Sequence, residues 1–111
     1  MMADKLSAPM VQLRAVMVEA AGLRRLEAGN PVVCLAPTDD GRWYAVDDTC
    51  THEDCSLSDG DLDDHTVECP CHGSRFDLIP GAALNLPAVL AVRVHQVEVK
   101  GREVVVTVDE A

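Results

Sequence analysis

Along most of this chain hydrophobic residues either alternate with polar ones or cluster in short runs, and both patterns read as β-strand. Residues 11–18 (VQLRAVMV) are rich in β-branched side chains, 23–27 are mixed, and Gly29, Asn30 and Pro31 mark a turn into the apolar run 32–35. A second turn signal, Thr38-Asp39-Asp40-Gly41, precedes a strand over 43–46 (WYAV), so this half reads as an antiparallel meander. Near the other end 92–99 (VRVHQVEV) alternates, and Lys100-Gly101 separates it from a strand over 103–108, which predicts a hairpin. Residues 15–26 have a helical alternative, weakened by Gly22 and by the β-branched residues before it. The pattern predicts an all-β fold, an antiparallel sandwich or small barrel.

Between these strands, residues 47–62 lose periodicity and fill with Asp, Ser, Thr and Cys, which suits loops held on a rigid β scaffold. Ile79-Pro80-Gly81-Ala82 places Pro and Gly at the centre of a type II turn. With 111 residues, 48% of them hydrophobic, the chain suits one domain, 1–111, with the loop region 47–88 set into the scaffold. There is no long apolar run and no basic segment leading to a cleavage site, so the reading is cytoplasmic.

Nineteen acidic against nine basic side chains give a net charge of −10. That charge repels nucleic acid and anionic membranes, and it favours a partner with a basic docking patch. Solubility alone is the plainer reading of the same charge.

Five cysteines in a cytoplasmic chain point to metal before a disulfide framework. Four of them, Cys50, Cys55, Cys69 and Cys71, lie close together with three of the four histidines. Cys50-Thr51-His52 and Cys69-Pro70-Cys71-His72 form a Cys-x-His and a Cys-x-x-His pair. Two thiolates and two imidazoles suit tetrahedral zinc or an iron–sulfur centre, and ligand softness does not decide between them.

The surroundings decide more. CTHEDCSLSDG at 50–60 and CPCHGSRFD at 69–77 resemble the two cluster-binding loops of Rieske proteins, and LNLPA at 84–88, with Pro87, is similar to the loop that covers the cluster in that family. The resemblance spans roughly residues 29–108. It implies one [2Fe-2S] cluster per chain, with Cys50 and Cys69 on the inner iron and His52 and His72 on the outer. Two ferric ions, two sulfides and two thiolates sum to zero charge, so an electron is added more easily than to an all-thiolate cluster, at roughly −150 to +300 mV.

The same resemblance pairs Cys55 with Cys71 in a disulfide between the loops, the alternative being two reduced thiols. It places Ser74 as a hydroxyl donor to the cluster, whereas Phe76 departs from the tyrosine of high-potential members. An intermediate-to-low potential follows, one that falls with pH above the ionisation of an imidazole on ferric iron.

Nothing in the sequence offers a nucleophile with its base or a phosphate-binding loop, so the chain is expected to be no enzyme itself but a one-electron carrier. The resemblance to ferredoxin components of ring-hydroxylating oxygenase systems implies a flavin-type reductase as donor and an oxygenase as acceptor. Two alternatives are the small subunit of a nitrite reductase and a zinc-stabilised or thiol redox-sensing interaction domain. Cys34 reads as a small buried hydrophobe, His65 and His95 as surface residues, Trp43 and Tyr44 as core, and the acidic run 59–64 as a solvated loop with a possible share in docking.

Overall fold

The computed structural model describes residues 10–16, 22–27, 32–38, 40–51, 54–86, 88–101 and 103–109. The turn expected at 29–31 lies outside them. The described strands are β1 (Met10–Val16), β2 (Arg24–Leu26), β3 (Val33–Pro37), β4 (Trp43–Asp47), β5 (Asp61–Asp63), β6 (Thr66–Glu68), β7 (Arg75–Asp77), β8 (Val94–Lys100) and β9 (Glu103–Asp109), with a 3₁₀ turn at Leu57–Asp59. Six form an antiparallel sheet in the order β1-β9-β8-β4-β3-β2, and β5-β6-β7 form a second, smaller one. The helical alternative for 15–26 is overturned where the chain is described, because both of its ends lie in strands. No helix among the described residues is long and apolar enough to cross a membrane.

The apolar run that became β3 has a simple cause. Val33 and Leu35 face one core with Ala45, Val104, Val106 and Val108, while Cys34 and Ala36 face a second with Leu57, Val67, Phe76 and Leu78. A strand buried on both faces has no polar side, so its pattern is continuous rather than alternating. The first core fills the curl of the large sheet. The second joins that sheet to the inserted segment, where Phe76, Leu57 and Leu78 are wholly buried, each worth roughly 1.5–3 kcal/mol.

The small sheet was not anticipated in the sequence, which read 47–62 as loops. Its strands have three residues each, and in β5 two exposed aspartates flank the half-buried Leu62. Pairing holds it together: Leu62 opposes Val67, and Val67 opposes Phe76.

His95 corrects a surface assignment. The register sets it opposite Ala45, on the inner face of the curl, where its side chain is 2% exposed and Nε2 lies 2.7 Å from Asp47 Oδ1. Arg93 Nε, 3.3 Å from Asp47 Oδ2, completes a polar cluster linking the start of β8 to the end of β4.

His65 is likewise a bridge rather than a free surface residue. It projects from the β5–β6 turn to Asp40 in the β3–β4 turn (3.0 Å), touches Asp64 (3.1 Å), and meets the edge of Tyr44. The hydrogen bond to Asp40 holds its pKa above the ordinary 6.5. A raised folded-state pKa stabilises the protonated fold, so this contribution is whole below the unfolded histidine's pKa and disappears as pH climbs through the folded one. The expected result is that wild type melts above Asp40→Asn in acid and that the gap narrows toward alkaline pH. A gap independent of pH in thermal melts would refute the bridge.

Candidate metal centre

Two loops leave the sheets in matching form. Cys50 N–H donates to the Cys55 carbonyl (2.9 Å), and Cys69 N–H donates to the Ser74 carbonyl (2.8 Å). Each loop is therefore closed by its first cysteine onto the residue five positions later. The first is framed by the bridge between Thr49 and Ser56, the second by β6 and β7. In the second, Gly73 takes φ +76°, a left-handed conformation that a side chain would strain.

The loops sort their chemistry by depth. Cys50 and Cys69 are 3% and 2% exposed, inside the second core, whereas Pro70, Cys71 and His72 are exposed. Burial pushes the Cys69 thiol up, as does its hydrogen bond with Cys50, while the backbone N–H groups of Cys71 and His72 point at its sulfur and favour the thiolate. Two adjoining buried thiols with aimed amides, below a surface imidazole, fit a centre with thiolates inside and imidazole outside. His52 and Pro87 lie outside the described residues.

Cys55 and Cys71 are joined by a disulfide, with Cα atoms 6.4 Å apart, which ties one loop to the other. Their sulfurs lie within 4.8 Å of Cys69 Sγ, but a disulfide sulfur has no thiolate to give a metal. Cys34 is buried in the same core on β3, and burial keeps its thiol neutral, with a pKa far above the ordinary range.

Residues 84–86 and 88–90 are fastened over both loops by side chains of which only Ser74 was singled out in the sequence, and that for another role. Asn85 Oδ1 accepts from Arg75 N–H (2.6 Å) and its Nδ2 donates to the Gly73 carbonyl (3.1 Å). Thr51 Oγ1 donates to the Leu90 carbonyl (2.8 Å). Buried Ser74 accepts from Ala88 N–H (3.1 Å), so its hydroxyl proton remains available for a second partner. Asp48, also buried, accepts from Ser58 N–H (2.8 Å) and anchors the return of the first loop. Sequence spacing reveals none of these partners, since all but the last join separate segments.

The fastened segment is apolar where it meets solvent. Leu86 and Val89 are 75% and 74% exposed, Leu84 and Leu90 more than half, and the segment lines a shallow groove of about 350 Å³. Acidic residues Asp59, Asp61, Asp63 and Asp64 are exposed along the small sheet.

The model of the Rieske [2Fe-2S] domain family matches residues 10–100. The 3-phenylpropionate/cinnamic acid dioxygenase ferredoxin subunit of Photorhabdus laumondii is 46% identical over 72 residues, 64% of this chain and 69% of that protein. Its namesake in Shigella boydii is 41% identical over 83 residues, 74% and 77% of the two chains. Among solved structures, a complex of reduced oxygenase and oxidised ferredoxin in carbazole 1,9a-dioxygenase contains a chain with TM-score 0.78 and 35% identity, covering 85% of this chain and 99% of that one.

Proposed function

The chain belongs to the Rieske [2Fe-2S] domain family, and from that premise we propose that Cys50, His52, Cys69 and His72 hold its cluster and that a flavin-type reductase supplies the electron it passes on. It is the ferredoxin of a dioxygenase system, an electron-transfer component that works with an oxygenase and is not itself the catalyst. The span matched to the family takes in both loops, the small sheet and every described strand of the large sheet but β9, which supports reading 1–111 as one domain. A carrier serving two larger proteins has to diffuse between them, and we place it in the cytoplasm.

The observation that carries the ligand assignment is the sorting by depth: buried Cys50 and Cys69, exposed His72. When bound, the cluster supplies one reversible electron. The residues around it do the rest. Cys71 and His72 amides direct positive dipoles at a site that becomes more negative on reduction, which raises its affinity for the electron, and the Ser74 hydroxyl proton, not used in accepting from Ala88, would add to them. The exposed His72 edge is left as the short route to a partner.

Electron paramagnetic resonance on dithionite-reduced protein tests this reading: a signal with the lowered average g of a histidine-ligated [2Fe-2S] centre is expected. A colourless, zinc-containing protein purified without added metal and with its Cys55–Cys71 disulfide intact would sink it.

The exposed acids and the apolar side chains of Leu86 and Val89 divide the work of docking, charge setting the encounter rate and apolar contact the grip. Raising ionic strength several-fold should slow second-order reduction by a partner about tenfold. An unchanged rate would leave the acids merely solubilising.

A further inference from the structure

We propose that reduction of the Cys55–Cys71 disulfide converts the loop tip into a zinc site, formed by Cys55, Cys69 and Cys71, whose occupation excludes the iron–sulfur cluster. The inference rests on the reading that Cys69 is a cluster ligand. The three sulfurs already lie within 4.8 Å of one another. Tetrahedral zinc with Zn–S near 2.3 Å needs sulfurs about 3.8 Å apart, so side-chain rotations on the existing backbone are enough. Cys71 is exposed and Cys55 half-buried, which gives the ion a path from solvent. The fourth position falls to water or to Cys50, which hydrogen-bonds Cys69.

The chemistry balances with a dithiol as reductant. One of its sulfurs attacks the Cys55–Cys71 bond to form a mixed disulfide, and its second sulfur closes the reductant's own ring. Two electrons and two protons thus pass to the cysteine pair. Zinc then binds three thiolates, and their protons leave to solvent.

The two oxidation states differ in which metal they select. With the disulfide closed, two of the three thiolates are removed and the remaining donors are the paired Cys and His of the cluster site. With it open, the tip is rich in soft thiolates, and such a site prefers zinc to ferrous iron on intrinsic affinity. The disulfide therefore acts as a guard of metal identity during loading, in addition to tying the loops.

The test uses the full chain freed of iron, in its disulfide form and after anaerobic reduction by a dithiol that is then removed. Zinc affinity is read by competition with a chromogenic chelator, and cobalt(II) substitution counts thiolates by charge-transfer intensity. The reduced chain should bind one zinc at least about 100-fold more tightly than the disulfide form. Three or four thiolates on cobalt both fit the site. Equal affinities would overturn it, as would a Cys55→Ala/Cys71→Ala variant that binds as tightly as reduced wild type.

A second measurement does not depend on that variant folding. In the zinc-loaded reduced chain Cys55, Cys69 and Cys71 should resist alkylation, and free modification of Cys55 or Cys71 would refute the site. Iron and sulfide added to the zinc-loaded chain should give no cluster, and normal assembly there would refute the exclusion. Failure of the disulfide form, without zinc, to take up a cluster would instead count against the ligand assignment itself.

Discussion

Replacing Cys69 by serine is expected to strip the cluster from the protein, with iron and acid-labile sulfide falling at least tenfold per chain and the visible colour lost. The sulfur sits 2% exposed beside Cys50, with amide N–H groups of the next turn directed at it. Those amides lower the cost of a buried negative charge, which a thiolate carries at neutral pH once bound to iron and a serine hydroxyl does not. Shortening the ligand atom's reach also moves it away from a position fixed by the Cys69–Ser74 backbone bond. Cys34→Ala is the matched control, because Cys34 is as deeply buried and lies in the same core but stands on β3, outside both loops. It should keep full iron content and lose about 1 kcal/mol to the cavity. Full iron in Cys69→Ser, or loss of iron in Cys34→Ala, would reverse the assignment of inner ligands.

What the sequence disclosed depended on the range of the interaction involved. The β8–β9 hairpin and the β3–β4 pair were legible because turn residues and apolar periodicity are local, and Gly41 and Gly101 do take the positive φ those turns need. The paired Cys and His motifs were legible because the loops are contiguous. His95 was misread because alternation shows that two faces differ without showing which face is inward; the register opposite Ala45 settles that, and Asp47 makes burial of the imidazole tolerable. The small sheet escaped because three-residue strands flanked by aspartates carry too little pattern of their own, and their stability comes from Phe76 and Val67 across the ladder. The fastening of 84–86 and 88–90 by Asn85, Thr51 and Ser74 escaped for the same reason: each bond joins residues whose closeness exists only after folding.

That small sheet also supplies a sensitive backbone position away from the loops. Gly60 joins the 3₁₀ turn to β5, and its φ of −92° is one that any residue adopts, so glycine is not required there for conformation. It is required for space. A Cβ on Gly60 would lie 1.8 Å from the Glu68 carbonyl oxygen and 3.2 Å from that of Leu57, both backbone atoms that no rotamer change can move. Gly60→Ala should therefore cost about 3 kcal/mol or more, as overpacking of a fixed site does, and lower the melting temperature by roughly 10 °C or more. Gly41→Ala separates this effect from backbone strain, since Gly41 has φ +83° but open space around it, and about 1 kcal/mol is expected there. Glu68 is bonded to Cys69, so displacing its carbonyl also shifts the proposed inner ligand, and the Gly60 variant should bleach on mild heating well before its sheet melts. Matching melting temperatures for the two variants would show that β6 yields freely at this point, and with it that the position of Cys69 is not set by the small sheet.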